Sequence, residues 1–208
     1  MQSVATSTEH AVIEALRAGD EDAFRALVAE LGPSMLRLAR HYVSSAAVAE
    51  EVVQEAWLGV LRGLDRFEGR SSLRTWIFTI LTNTAKTRGV REGRTLPFSS
   101  LAAQEGTGPA VEPDRFLPDD SRFPGHWAVR PERWEGAERL LARETLDVIE
   151  RAIARLPAAQ AIVLTMRDVE GFDSAEVCNA LDLTETNQRV LLHRARSAVR
   201  RALEEYMR

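Results

Sequence analysis

Six of the eight prolines in this 208-residue chain crowd into residues 96–137. Pro97, Pro109, Pro113, Pro118, Pro124 and Pro131 lie there with Gly106, Gly108, Gly125 and Gly136. A proline inside a helix removes a hydrogen bond and clashes with the preceding turn, so no regular element runs far through such a stretch. On either side apolar residues recur at helical spacing, and no strand-like alternation of useful length interrupts them. The chain is therefore expected to be all-α. Two small helical domains, residues 1–95 and 138–208, are joined by a long Pro/Gly-rich linker at 96–137. With 45% hydrophobic residues, a chain of this length buries one generous core or two small ones.

The linker is more than a spacer. Phe116, Phe123, Trp127 and Trp134 interleave with Glu112, Asp114, Asp119, Asp120 and Glu132, whereas disordered segments usually lack aromatics. These rings are expected either to dock on a partner or to pack on the chain's own domains.

The last forty residues read as a helix-turn-helix. Asp173 or Ser174 caps a short helix that ends at Leu181. Asp182–Thr184 makes the turn, and a longer helix runs from Glu185 to about Glu204. Leu192, Ala195, Val199 and Leu203, with Gln188, Leu191 and Ala202, form its inward stripe. Opposite lie Thr186, Arg189, Val190, His193, Arg194 and Arg201, flanked by Arg196 and Arg200. An outer face of donors with almost no carboxylates suits the major groove, where arginine forks onto guanine edges or phosphates.

The first domain carries two further amphipathic segments. In 49–64, Val53, Ala56, Trp57, Val60, Leu61 and Leu64 are expected to face the core, leaving Glu51, Gln54, Glu55 and Leu58 outward. The loop from Phe67 to Ser72 ends in a serine cap. In the helix that follows, Leu73, Ile77, Ile80, Leu81 and Thr84 are expected inward. Thr75, Thr79, Thr82, Asn83 and Lys86 make an outer stripe of hydroxyls, an amide and a cation. Such groups beside arginines suit an exposed nucleic-acid strand.

The formal net charge of −4 argues only weakly against a nucleic-acid partner. From residue 62 to 94 the cations Arg62, Arg66, Arg70, Arg74, Lys86, Arg88, Arg91 and Arg94 outnumber Asp65, Glu68 and Glu92, and local charge decides groove contacts. Cys178 is the single cysteine, which excludes a disulfide framework and a cysteine zinc site; a buried core thiol is expected. No metal or cofactor is expected. No nucleophile elbow, metal spacing or phosphate loop points to an enzyme. No signal pattern opens the chain and no apolar run is long enough to span a membrane, so a soluble, cytoplasmic protein is expected.

Taken together, these segments resemble the extracytoplasmic-function (ECF) group of bacterial RNA polymerase sigma factors, in the sigma-70 family. Glu50-Glu-Val-Val-Gln-Glu-Ala-Trp-Leu58 is similar to the family's polymerase-binding helix. Phe67-Glu-Gly-Arg-Ser-Ser-Leu-Arg-Thr-Trp-Ile77, running on to Lys86, resembles its promoter-melting and minus-ten segment. Leu156-Pro157, Val169–Phe172 and His193-Arg-Ala-Arg196 resemble its minus-thirty-five domain. The resemblance implies that Glu51, Gln54, Glu55 and Leu58 engage core RNA polymerase. It implies that the loop Phe67, Arg70, Ser71, Ser72 holds a flipped base, supported by Arg74, Trp76, Thr79, Asn83 and Lys86. Thr186, Arg189, His193 and Arg194 then contact the upstream duplex, while Arg196 and Arg200 hold its backbone. An anti-sigma factor is the implied regulator. The pattern departs at Thr186-Asn-Gln-Arg-Val-Leu-Leu192 and at Thr87-Arg-Gly-Val-Arg91, so the promoter sequence does not carry over. A stand-alone helix-turn-helix regulator explains the last sixty residues, but it leaves the stripe on 73–86 and the patch around Leu58 without a role.

Overall fold

The computed structural model describes residues 2–93 and 138–207. The expected docking of the linker aromatics lies outside the described residues. All regular elements in the described residues are helical: α1 (Gln2–Arg17), α2 (Glu21–Ala39), α3 (Ala46–Gly63), α4 (Leu73–Arg91), α5 (Glu138–Ala154), α6 (Ala158–Leu164), α7 (Ser174–Leu181) and α8 (Glu185–Tyr206).

Local chemistry sets most of the boundaries. Asp20 caps α2 by accepting from the amides of Asp22 and Ala23 at 2.9 and 3.0 Å. Ser45, Ser72 and Thr184 accept from the third residue beyond them to start α3, α4 and α8. Asp173 and Glu176 form a reciprocal capping box at α7. Asp182 takes a left-handed φ of 56° that ends α7, a conformation Asp tolerates better than most residues. Pro33 lies inside α2, yet the helix continues, with Leu31, Met35 and Leu38 buried on either side of it.

In the N-terminal domain, α2, α3 and α4 enclose Met35, Leu38, Tyr42, Val52, Ile77, Phe78 and Leu81. Phe24 meets Trp57 edge-on at 5.6 Å. The face of α3 differs from the expected one. Ala49, Val52, Ala56, Trp57 and Val60 are buried, Leu61 is 47% exposed, and Val53 is half-buried. The glycine edge of the helix accounts for the rotation. A Cβ on Gly59 would lie 3.0 Å from Ile80 Cγ2, and one on Gly63 would lie 3.0 Å from Trp76 Cζ2, so α4 packs where these residues lack side chains.

In the C-terminal domain, α6, α7 and α8 enclose Ile162, Met166, Phe172, Leu181 and Leu191, and α5 packs along α8. A single π-type turn, Thr165–Val169, links α6 to the loop before α7. Cys178 is half-buried rather than enclosed, and desolvation raises its thiol pKa.

The two domains pack against each other, α4 against α7. Phe78 and Phe172 meet at 4.8 Å, joining the two cores. Thr75 and Thr82, read as outward-facing, are 2% and 0% exposed. The expected outward face does not hold for these two: their hydroxyls bond to the second domain, Thr75 to Glu176 and Thr82 to the Ala180 carbonyl. The second domain then covers that stripe.

Candidate polymerase and nucleic-acid interfaces

The outer side of α3 presents Glu51, Gln54, Glu55 and Leu58, all exposed. Leu58 is 51% exposed, and Leu61 extends the apolar surface one turn further. Glu51 forms an ion pair with Arg88 of α4. Leu58 and Leu61 make a small apolar ridge in water beside these carboxylates.

Phe67 is not presented to solvent. It is 7% exposed, stacks on Trp76 at 4.9 Å, and its carbonyl accepts from Arg17 Nη2 at 2.6 Å. These two rings anchor the loop 67–72 to α4. Arg70 is exposed and pairs with Glu68, its Nε donating at 2.7 Å. Ser71 is exposed, and Ser72 caps α4.

Along α4 the predicted donors are mostly engaged. Arg74 Nη2 donates to the Glu170 carbonyl at 2.8 Å and to its carboxylate at 3.3 Å, while the guanidinium lies 4.2 Å over the Phe172 ring. Thr79 bonds back to the Thr75 carbonyl at 2.8 Å. Lys86 Nζ donates to the Leu181 carbonyl at 3.0 Å, and partial burial lowers its pKa against the opposing pull of Asp182. Asn83 remains exposed, beside Glu55, Thr87, Arg88 and Arg91 in a shallow polar depression.

On α8, Thr186, Arg189 and His193 are exposed and Arg194 is half-buried, all in the first half of the helix. Thr186, Arg189 and His193 share one outer face, on the side away from buried Gln188, Leu191, Leu192 and Ala195. Arg196 is committed within the domain. It forks onto Asp168 at 2.8 and 2.6 Å, a bond that raises its pKa further. Arg200 is half-buried.

Sequence reasoning missed Arg37, which comes from α2 to the same place as Arg74. Its Nε and Nη2 donate to Glu170 Oε1 at 3.1 and 2.9 Å. No periodicity marks an arginine whose partner lies in another domain. Glu176, half of the α7 capping box, also accepts from Thr75 and from Ser72. Among the described residues no cluster of His, Cys, Asp and Glu could hold a metal ion, and no helix is long and apolar enough to cross a membrane.

A helical domain with an apolar ridge exposed on α3, followed by a helix-turn-helix domain whose last helix exposes Arg189 and His193, is the frame of a DNA-binding protein. Residues 27–95 match Sigma-70 region 2, and residues 146–199 match Sigma-70 region 4. The chain is 30% identical to the ECF RNA polymerase sigma-E factor of Escherichia coli K12, covering 97% of each chain. It is 29% identical to the RNA polymerase sigma-H factor of Pseudomonas aeruginosa, over 95% of this chain and 94% of that one. The fold is similar to CnrH in complex with the cytosolic domain of CnrY, with TM-score 0.56 and 17% identity over 95% of this chain and 97% of that one. It is equally similar, at TM-score 0.56 and 19% identity, to the sigma factor RpoE bound to the anti-sigma factor NepR from Bartonella quintana, over 87% and 96% of the two chains. The chain belongs to the ECF sigma factors of the sigma-70 family. It binds core RNA polymerase and directs promoter recognition, DNA melting and transcription initiation.

Proposed function

We propose the following division of labour within this sigma factor. Residues 1–95 form the unit that docks on core polymerase and captures the melted strand, 96–137 tether it, and 138–208 read the upstream duplex. Glu51, Gln54, Glu55 and Leu58, with Leu61, dock on polymerase. The loop 67–72 and the α4 residues Arg74, Asn83 and Lys86 hold the unstacked strand. Phe67 and Trp76 act as the scaffold of that loop, since their rings are spent on each other. Thr186, Arg189, His193 and Arg194 enter the major groove, and Arg200 contacts phosphates. The observation that carries this reading is the α8 face, where an arginine, a histidine and a hydroxyl stand exposed in the first half of a recognition helix.

The chain performs no chemistry of its own; the polymerase supplies the active site. It works in the cytoplasm, where its polymerase is. An anti-sigma factor restrains it by covering the apolar surface around Leu58, a reading supported by the partners named in the two structures of similar fold. Run-off transcription with purified core polymerase on a pool of promoter fragments tests the whole. Transcripts that depend on the chain and vanish with Arg189→Ala or Asn83→Ala are expected. A chain that shifts duplex DNA but never joins core polymerase overturns it.

A further inference from the structure

The contact between the domains is built from groups that a nucleic-acid strand also uses. The Glu170 side chain is 4% exposed and lies between two guanidiniums, Arg37 and Arg74. Ser72 and Thr75 turn their hydroxyls to the carboxylate of Glu176. Lys86 completes the row on a carbonyl oxygen. Every one of these donors on the N-terminal domain therefore ends on an oxygen of the C-terminal domain, and three of those oxygens belong to the carboxylates of Glu170 and Glu176. Carboxylate and phosphate accept the guanidinium fork in the same way. One carboxylate against two guanidiniums leaves a local excess of positive charge, and removing Glu170 leaves two cations facing an empty position. The π-type turn 165–169 directly precedes Glu170, whose amide donates to the Thr165 carbonyl at 2.8 Å. Such turns occur mostly as isolated insertions, frequently at functional sites.

We propose that Arg37 and Arg74 form a phosphate subsite for the promoter strand. Glu170 fills it in the closed arrangement seen here, so the C-terminal domain and the strand are alternative occupants of α4. This rests on the assignment of α4 to strand binding made above. It adds Arg37 to that face and makes the second domain a built-in competitor for it.

The test uses the full chain and a fluorescent single-stranded oligonucleotide, with small-angle X-ray scattering to follow opening. Glu170→Gln removes the competitor's charge and leaves the subsite intact, so the chain expands and binds the oligonucleotide roughly tenfold tighter, the gain expected if a tenth of the wild-type molecules are open. Arg37→Ala removes one of the two ion pairs on Glu170 and also expands the chain, but it gains no strand affinity because the subsite has lost one of its two guanidiniums. That contrast is the signature. A Glu170→Gln chain that stays compact, or that expands without binding the strand more tightly, overturns the proposal, as does equal tightening by Arg37→Ala. If Glu170→Gln loses its helical circular dichroism, Glu176→Gln supplies the same readout, since glutamine also completes a capping box. Wild-type run-off transcription separates the two levels. If it depends on Asn83 while the variants show no contrast, only this inference fails; if it does not depend on Asn83, the reading of α4 fails.

Discussion

Thr82 places its Oγ1 2.9 Å from the carbonyl oxygen of Ala180, across the boundary between the two domains, and both residues are buried. The carbonyl belongs to the last turn of α7, where backbone acceptors have no partner within the helix. Thr82→Val keeps the shape and deletes the donor. Leaving a buried acceptor unpaired costs roughly 1–3 kcal/mol, and each kcal/mol lowers the Tm of a chain this size by about 2–4 °C. Thermal denaturation of the full chain checks this. An unchanged Tm means the domains do not pack this way in solution.

Leu58→Glu places a charge on the exposed ridge of α3, where the leucine lies outside the core formed by the described residues. Affinity for core polymerase falls sharply while the Tm stays within a degree or so of wild type, because surface substitutions away from packed features rarely exceed about 0.5 kcal/mol. Co-purification with core polymerase decides it, and undiminished assembly removes Leu58 from the docking face.

Arg189→Ala removes an exposed cation from the outer side of α8, proposed above to enter the major groove, without touching the core. Holoenzyme loses roughly 1–3 kcal/mol of upstream-element discrimination, about fivefold to 150-fold, and core binding is unaffected. Competition between matched and scrambled upstream duplexes measures it. Equal losses on both assign Arg189 to phosphate contact instead.

His41 sits at the end of α2, with Nε2 3.3 Å from the Thr165 hydroxyl of the other domain. Burial holds its pKa below the usual 6.5, so the folded chain keeps the ring neutral while the unfolded chain takes up a proton. The unfolded state then binds more protons, and stability falls as pH drops from about 6.5 towards the lowered folded value. Wild-type Tm should therefore decline more steeply between pH 7 and pH 5 than that of His41→Gln. Parallel profiles would show that the imidazole protonates freely in the folded chain.

The helices and their caps were legible because local chemistry specifies them. Asp173 with Glu176, and Thr184 with the start of α8, signal their turns within four residues. The exposed side of α8 was legible for the same reason, since Arg189 and His193 are one turn apart. The phase of α3 was not. Val52 and Val53 fit either rotation, and Gly59 and Gly63, which decide it, act by lacking side chains. Nor was the domain contact, because Ala180 and Leu181 contribute only backbone carbonyls and Glu170 shows its two arginine partners only in three dimensions.

A ligand carried on the same chain is never dilute. Covalent linkage holds two domains of one chain at an effective concentration in the millimolar range, so the C-terminal domain is a competitor that cannot diffuse away from α4. Stray single strands at cellular concentrations face that competitor everywhere. A strand already melted within the holoenzyme is itself presented locally, at comparable effective concentration, and meets the tethered rival on equal terms. The Glu170 latch thereby makes strand binding conditional on assembly, a form of specificity that requires no additional base contact.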